Sequence, residues 1–154
     1  MIRETARIAR VWIVVRLTVL ALSLAVLSGC GRFRKAKECD VLAKAVSTWL
    51  ARQPTPSGAS AEPKKLAAET RITAARYEQL DRELAALDIK SRDLVPRVAR
   101  YREIAVKSAR VLQDVATALE RDNSELARRR RVEFDETMRA ESAIVAEINS
   151  ECRR

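Results

Sequence analysis

The sequence predicts an all-α protein, an antiparallel four-helix bundle that follows a cleaved N-terminal signal helix. Three observations predict this fold. Apolar side chains recur every three or four residues over long stretches, which is the spacing of one buried helix face. No stretch alternates strictly between apolar and polar residues, and no glycine follows Gly58. Cysteines stand near both ends of the region after the signal, at Cys39 and Cys152.

The first helix is predicted at about residues 36–53. We expect Trp49, the only tryptophan after the signal, to lie in the core, and a ligand platform is the alternative. Residues 54–63 hold three of the four prolines, which remove backbone donors and end the helix. Pro63 can open the next helix. The apolar row of the first helix has 3-4-3 spacing with two flanking residues: Cys39, Leu42, Val46 and Trp49, with Ala45 and Leu50.

The second and third helices are predicted at about 63–88 and 93–121. Their rows keep a 3-4 rhythm without interruption, which is the seam of left-handed helix packing. Asp93 is the expected N-cap of the third helix, and Pro96 falls in its first turn. The rows are Leu66, Thr70, Thr73, Tyr77, Leu80, Leu84 and Leu87, then Leu94, Val98, Tyr101, Ala105, Ser108, Leu112, Val115 and Leu119.

The fourth helix is predicted at about 123–152. The row of the third helix, continued forward, reaches Leu126, whereas the row of the fourth, extended back, reaches Ala127. Because the rows are one residue out of phase and Asp122 and Asn123 are good caps, we place a break here. The alternative is one helix of about 60 residues, roughly 90 Å long. The row of the fourth helix is Phe134, Met138, Glu141, Val145, Ile148 and Cys152.

The N-terminus has the pattern of an export signal. Residues 3–16 hold four arginines, residues 17–27 are mostly apolar, and two small residues follow. The apolar run is shorter than the roughly 20 residues that span a bilayer. The residues that close this predicted signal, Leu27-Ser28-Gly29-Cys30, resemble the lipobox of bacterial lipoproteins.

The lipobox resemblance implies cleavage between Gly29 and Cys30 and a diacylglyceryl group on the Cys30 sulfur. Acylation, for example with palmitate, would complete a stable membrane anchor. The chain would then comprise a signal peptide at 1–29, a lipidated basic tether at 30–37 and a helical bundle at 38–154. An uncleaved signal anchor is the alternative. Gly31, where an aspartate would imply retention in the inner membrane, favours the periplasmic face of the outer membrane.

Cysteine usage and helix number support each other. In an oxidising envelope compartment, the remaining pair of Cys39 and Cys152 predicts a disulfide. The two positions share one pole of an up-down-up-down bundle of four helices. Three helices would separate them far beyond the Cα distance of about 7 Å that a disulfide allows. The layout is also similar to uncharacterised small helical lipoproteins with a terminal cysteine pair, a resemblance that implies no function.

Composition removes several kinds of chemistry. The chain has no histidine and no glycine-rich phosphate loop, so catalytic triads, histidine metal ligation and nucleotide loops are not expected. We therefore expect no enzyme activity, no metal and no cofactor. Glu141 is the one acid on a core row. It is either a functional carboxylate or a position where the seam opens to solvent, and Arg139 could pair with it there.

Basic residues form two candidate anion-binding groups. Loss of residues 1–29 removes four arginines and one glutamate, which lowers the formal net charge from +9 to +6. Such a charge attracts anionic lipid or polysaccharide, although solvated bundle flanks have the same composition. Nucleic acid is not an expected partner, because aromatic residues do not interleave with the basic ones. The two groups are a third-helix stripe, Arg97, Arg100, Lys107 and Arg110, and a run, Arg128, Arg129, Arg130 and Arg131.

The sequence thus predicts a membrane-anchored envelope lipoprotein. Its bundle would act as a non-enzymatic scaffold or protein-binding module, with an envelope protein as partner. The alternative is a basic chaperone-like protein or a binder of anionic polymers. Salt dependence of binding distinguishes these alternatives, because the affinity for an anionic polymer should collapse between about 50 and 200 mM salt.

Overall fold

The computed structural model describes residues 33–52 and 62–154, and all regular structure in these ranges is helical. Helix α1 covers residues 33–51. It is followed by α2 (Pro63–Ala85), α3 (Val95–Glu120) and α4 (Ser124–Cys152). The all-α prediction is therefore confirmed, with four packed helices. The predicted signal, the cleavage site, Cys30 and residues 53–61 of the proline-rich stretch lie outside the described residues.

The helices run antiparallel to their neighbours, as the polar contacts between them show. Between α2 and α3, Arg71 pairs with Glu120, whereas Arg102 pairs with Asp81. Between α3 and α4, Arg97 pairs with Glu151, whereas Ser108 donates to Thr137. In both pairs of helices, earlier residues of one meet later residues of the other. Residues Glu38–Arg154 form one compact unit.

Helix α2 begins with Pro63, as predicted, but α3 begins later than predicted. Asp93 is not its N-cap, because Val95 is the first helical residue and Leu94 is the cap. The amides of Leu94 and Val95 both donate to the carbonyl oxygen of Ser91, which closes a turn before the helix. Leu94 is completely buried, so core packing sets where the helix begins. Pro96 lies in the first turn of α3, as predicted.

A compact connection separates α3 from α4, so the alternative of one long helix is wrong. Asp122 has φ 54°, in the left-handed region that aspartate tolerates better than most residues. The amides of Asp122 and Asn123 donate to the carbonyl oxygens of Leu119 and Ala118, the Schellman arrangement that ends a helix. The Asn123 side chain then accepts from the Leu126 amide at 3.0 Å, a cap that contributes about 1 kcal/mol.

Helix α3 packs against both α2 and α4. Its predicted row is buried from Leu94 to Val115, and Leu119 is half-buried. A second set of buried side chains widens this face: Ala109, Val111, Ala116 and Ala118. Three of these are alanines, and their small size allows both neighbouring helices to approach closely.

Helix α4 is rotated relative to the predicted row. Ile144 is 0% exposed, and the buried positions of the helix are Ala127, Thr137, Glu141, Ile144, Ile148 and Glu151. The other predicted residues, Phe134, Met138, Val145 and Cys152, are only partly buried. The prediction missed Ile144 because two adjacent rows on this helix fit the three- and four-residue spacing. The row that faces α3 is the buried one.

Helix α1 packs through Trp49 and Leu42, which are 4% and 2% exposed. The Trp49 indole N–H donates to the carbonyl oxygen of Arg76 at 2.9 Å, and its ring lies 5.3 Å from the Tyr77 ring. Trp49 is therefore a core residue, as predicted. Leu50 is 56% exposed, so the prediction that it widens the buried stripe is wrong.

Candidate functional site

The sulfurs of Cys39 and Cys152 lie at bonding distance, with Cα atoms 5.7 Å apart. The prediction that Cys39 and Cys152 lie at disulfide distance is confirmed. The pair connects α1 to the end of α4. Beside it, the buried Glu38 carboxylate accepts hydrogen bonds from the amides of Lys90 and Ser91 at 3.2 and 2.9 Å. These contacts fix α1 to the α2–α3 connection as well as to α4.

Two apolar clefts of about 290 Å³ each lie along the inner side of α4. The Arg131 cleft opens between α2, α3 and the first part of α4. The disulfide cleft opens between α1, α3 and the last part of α4. Residues that line the Arg131 cleft include Leu66, Leu112, Leu119, Arg128, Arg131 and Phe134. Residues that line the disulfide cleft include Cys39, Leu42, Val46, Tyr101, Val145 and Ile148.

A buried carboxylate lies on α4 between the residues that line these clefts. Glu141 is 8% exposed, and its two oxygens accept from Tyr77 Oη at 3.1 Å and Tyr101 Oη at 3.2 Å. Tyr77 Oη also lies 3.0 Å from Met138 Sδ, but the carboxylate is the stronger acceptor for its single proton. Each oxygen of Glu141 is thus held by one tyrosine.

Of the two sequence interpretations of Glu141, a functional carboxylate or a seam open to solvent, the second is wrong. The seam does not open to solvent at this position, because the carboxylate is buried. Glu141 pairs with Tyr77 and Tyr101 rather than with Arg139. Residues two positions apart on a helix do not face each other, and Arg139 is exposed. Sequence could have indicated the cluster, since both tyrosines and Glu141 stand on predicted core rows.

Burial raises the pKa of Glu141 above its ordinary value, and the hydrogen bonds from the two tyrosines oppose part of this rise. Burial, followed by the charge of Glu141, also raises the pKa of Tyr77 and of Tyr101. Both tyrosines therefore remain protonated donors at neutral pH. The arrangement holds one carboxylate between two tyrosine donors.

The raised pKa of Glu141 predicts a specific pH dependence of stability. Because the pKa is higher in the folded chain than in the unfolded chain, Glu141 stabilises the fold most at pH values below its unfolded pKa of about 4.3. This contribution is lost as the pH rises through the folded pKa. Relative to Glu141→Gln, the wild type should therefore lose stability as the pH increases from about 4 to 7. Urea unfolding across this range measures the difference, and a constant difference would contradict the prediction.

The predicted third-helix stripe is divided by its partners. Arg97 lies 3.4 Å from Glu151, and Arg100 lies 3.2 Å from Glu147. These two arginines therefore join α3 to α4. Lys107 and Arg110 are exposed, and neither forms an ion pair with any described residue.

The 128–131 run is also divided. Arg128 and Arg129 both pair with Glu125, at 3.1 and 2.9 Å, and these contacts lie on the surface. Arg130 pairs with Glu133 at 2.7 Å and with Asp114 at 3.5 Å. Arg131 forms no ion pair with a described residue and lines the Arg131 cleft instead. The run thus presents one unneutralised guanidinium to an apolar surface.

Fold and site together define an all-α helical bundle whose first and last helices carry a cysteine pair at disulfide distance. The chain matches no protein-family model, no curated protein and no solved structure. Among the described residues, none of the helices combines the length and the apolar character needed to cross a membrane.

Proposed function

We propose that this chain is a membrane-anchored envelope lipoprotein whose helical bundle is a non-enzymatic protein-binding module. The observation that carries the proposal is the position of Cys39 and Cys152, 113 residues apart in sequence and at bonding distance in space. Disulfides persist in oxidising compartments outside the cytosol. This pair therefore supports the export that residues 1–30 predict.

The character of the clefts supports binding rather than catalysis. Both are lined mostly by apolar side chains, as sites for ligands or partner side chains usually are. The buried Glu141 carboxylate is already engaged by two tyrosines. Exposed apolar side chains outside the two clefts, such as Val106 and Val132, add contact area for a protein partner.

The anchor is tested by intact mass spectrometry of the full chain expressed in a bacterium and recovered from its membranes. We expect a mass that lacks residues 1–29 and gains a diacylglyceryl group and an acyl chain. Cys30→Ser should keep the full mass and lose the lipid. Cys39→Ser is the matched control, because it should be lipidated normally. A wild-type chain that keeps residues 1–29 and carries no lipid would overturn the anchor.

The protein-binding role is tested by photo-crosslinking in cells from Lys107 and Arg110, the two stripe residues without ion pairs among the described residues. One dominant envelope protein, captured from both positions and not from Arg82 on α2, is the expected result. Many unrelated proteins would favour the chaperone-like alternative. Polysaccharide or lipid adducts that disappear between about 50 and 200 mM salt would favour the anionic-polymer alternative.

A further inference from the structure

The Arg131 cleft combines an apolar floor with a charged mouth. Its floor is built by three helices: Leu66 from α2, Leu112 and Leu119 from α3, and Phe134 from α4. Its volume of about 290 Å³ lies just below the range for small-molecule sites, roughly 300–1,000 Å³. An apolar occupant of modest size, such as a single hydrocarbon chain, fits this space.

Charge at the mouth restricts what the head of that occupant can be. Arg128 and Arg131 are three positions apart on α4, so they share one face of the helix, and both line the cleft. Arg128 makes two hydrogen bonds to the carboxylate of Glu125, at 3.1 Å each. Arg131 pairs with no acid among the described residues. A guanidinium in this position favours an anion, and a carboxylate matches its two parallel N–H groups.

We propose that the Arg131 cleft binds one free fatty acid of modest chain length. The hydrocarbon chain lies against Leu66, Leu119 and Phe134, and Arg131 holds the carboxylate at the mouth. Binding of the hydrocarbon removes the apolar floor of the cleft from water, and this burial is the main source of affinity. The inference concerns a ligand of the bundle and does not depend on the lipid anchor.

The test is photolabelling of the purified full chain with a twelve-carbon fatty acid that carries a diazirine at its methyl end. We expect the label on peptides that contain Leu112, Leu119 or Phe134, because the methyl end reaches the floor. Unmodified dodecanoic acid should compete, whereas dodecanol, which has the same chain without the charge, should compete weakly. Label that dodecanol removes equally well would overturn the role of Arg131.

Two variants and one matched control sharpen the test. Arg131→Glu should lower the labelling of the floor by about tenfold or more, as expected for loss of a charge-assisted contact. Leu66→Trp should abolish it by filling the cleft. Arg129→Glu is the control, because Arg129 is a neighbouring exposed arginine on α4 that does not line the cleft. Circular dichroism should show unchanged helix content in all three.

The outcomes separate this inference from the proposed function. Absence of label in the cleft, or equal labelling of Arg129→Glu and Arg131→Glu, overturns the inference. The lipid on Cys30 is read separately from the intact mass. The site can therefore fail while the anchor stands, and the anchor can fail while the site stands.

Discussion

Replacing Cys39 and Cys152 together with serine is expected to lower the free energy of unfolding by about 4–5 kcal/mol. The bond would close a loop of 113 residues, and the loop-closure entropy removed from the unfolded chain grows with the logarithm of that length. Such a loss is a large part of the roughly 5–15 kcal/mol that stabilises a typical domain. Urea unfolding of wild type and variant, without reductant, measures it.

Reductant is the matched control, because it should lower the unfolding midpoint of the wild type and leave that of the double variant unchanged. Peptide mapping without reductant should recover a linked Cys39–Cys152 peptide. Free thiols at both positions in native material would contradict the prediction. So would a wild-type midpoint that reductant leaves unchanged.

The second large effect is expected at the buried carboxylate. Tyr77→Phe combined with Tyr101→Phe should destabilise the bundle by about 3–6 kcal/mol at neutral pH, because each of the two hydrogen bonds to a charged group contributes about 1.5–3 kcal/mol. Both rings keep their packing against the core, since phenylalanine lacks only the hydroxyl. The loss therefore reports the two hydrogen bonds to Glu141 at 3.1 and 3.2 Å.

A third change on this background should reverse most of the loss. Glu141→Leu removes the unsatisfied carboxylate, and replacing all partners of a buried polar cluster by apolar groups is often nearly neutral. Ser108→Ala is the control, because it breaks a buried but neutral hydrogen bond to Thr137 and should cost only about 1 kcal/mol. A triple variant that is no more stable than the double would contradict this account.

The candidate site was only partly predictable. Glu141 is visible in the sequence as an acid on a core row, yet its partners lie 64 and 40 positions away, on Tyr77 and Tyr101. The basic stripe was predicted as one surface, but on α4 Glu151 neutralises Arg97 and Glu147 neutralises Arg100. Spacing within one helix identifies a face and does not identify the charges that another helix brings to it.

By itself, the sequence determined the helical class, the break between α3 and α4 and the pairing of Cys39 with Cys152. The first two follow from local physics, since periodicity and capping residues are encoded in neighbouring positions. The cysteine pair was predicted from the even number of remaining cysteines and from the number of helices. Only the tertiary structure decided which row of α4 faces the core, because the rows through Ile144 and Val145 differ by one position. It likewise decided that Leu50 is exposed and that Arg131 lines a cleft, since burial depends on which helix lies opposite.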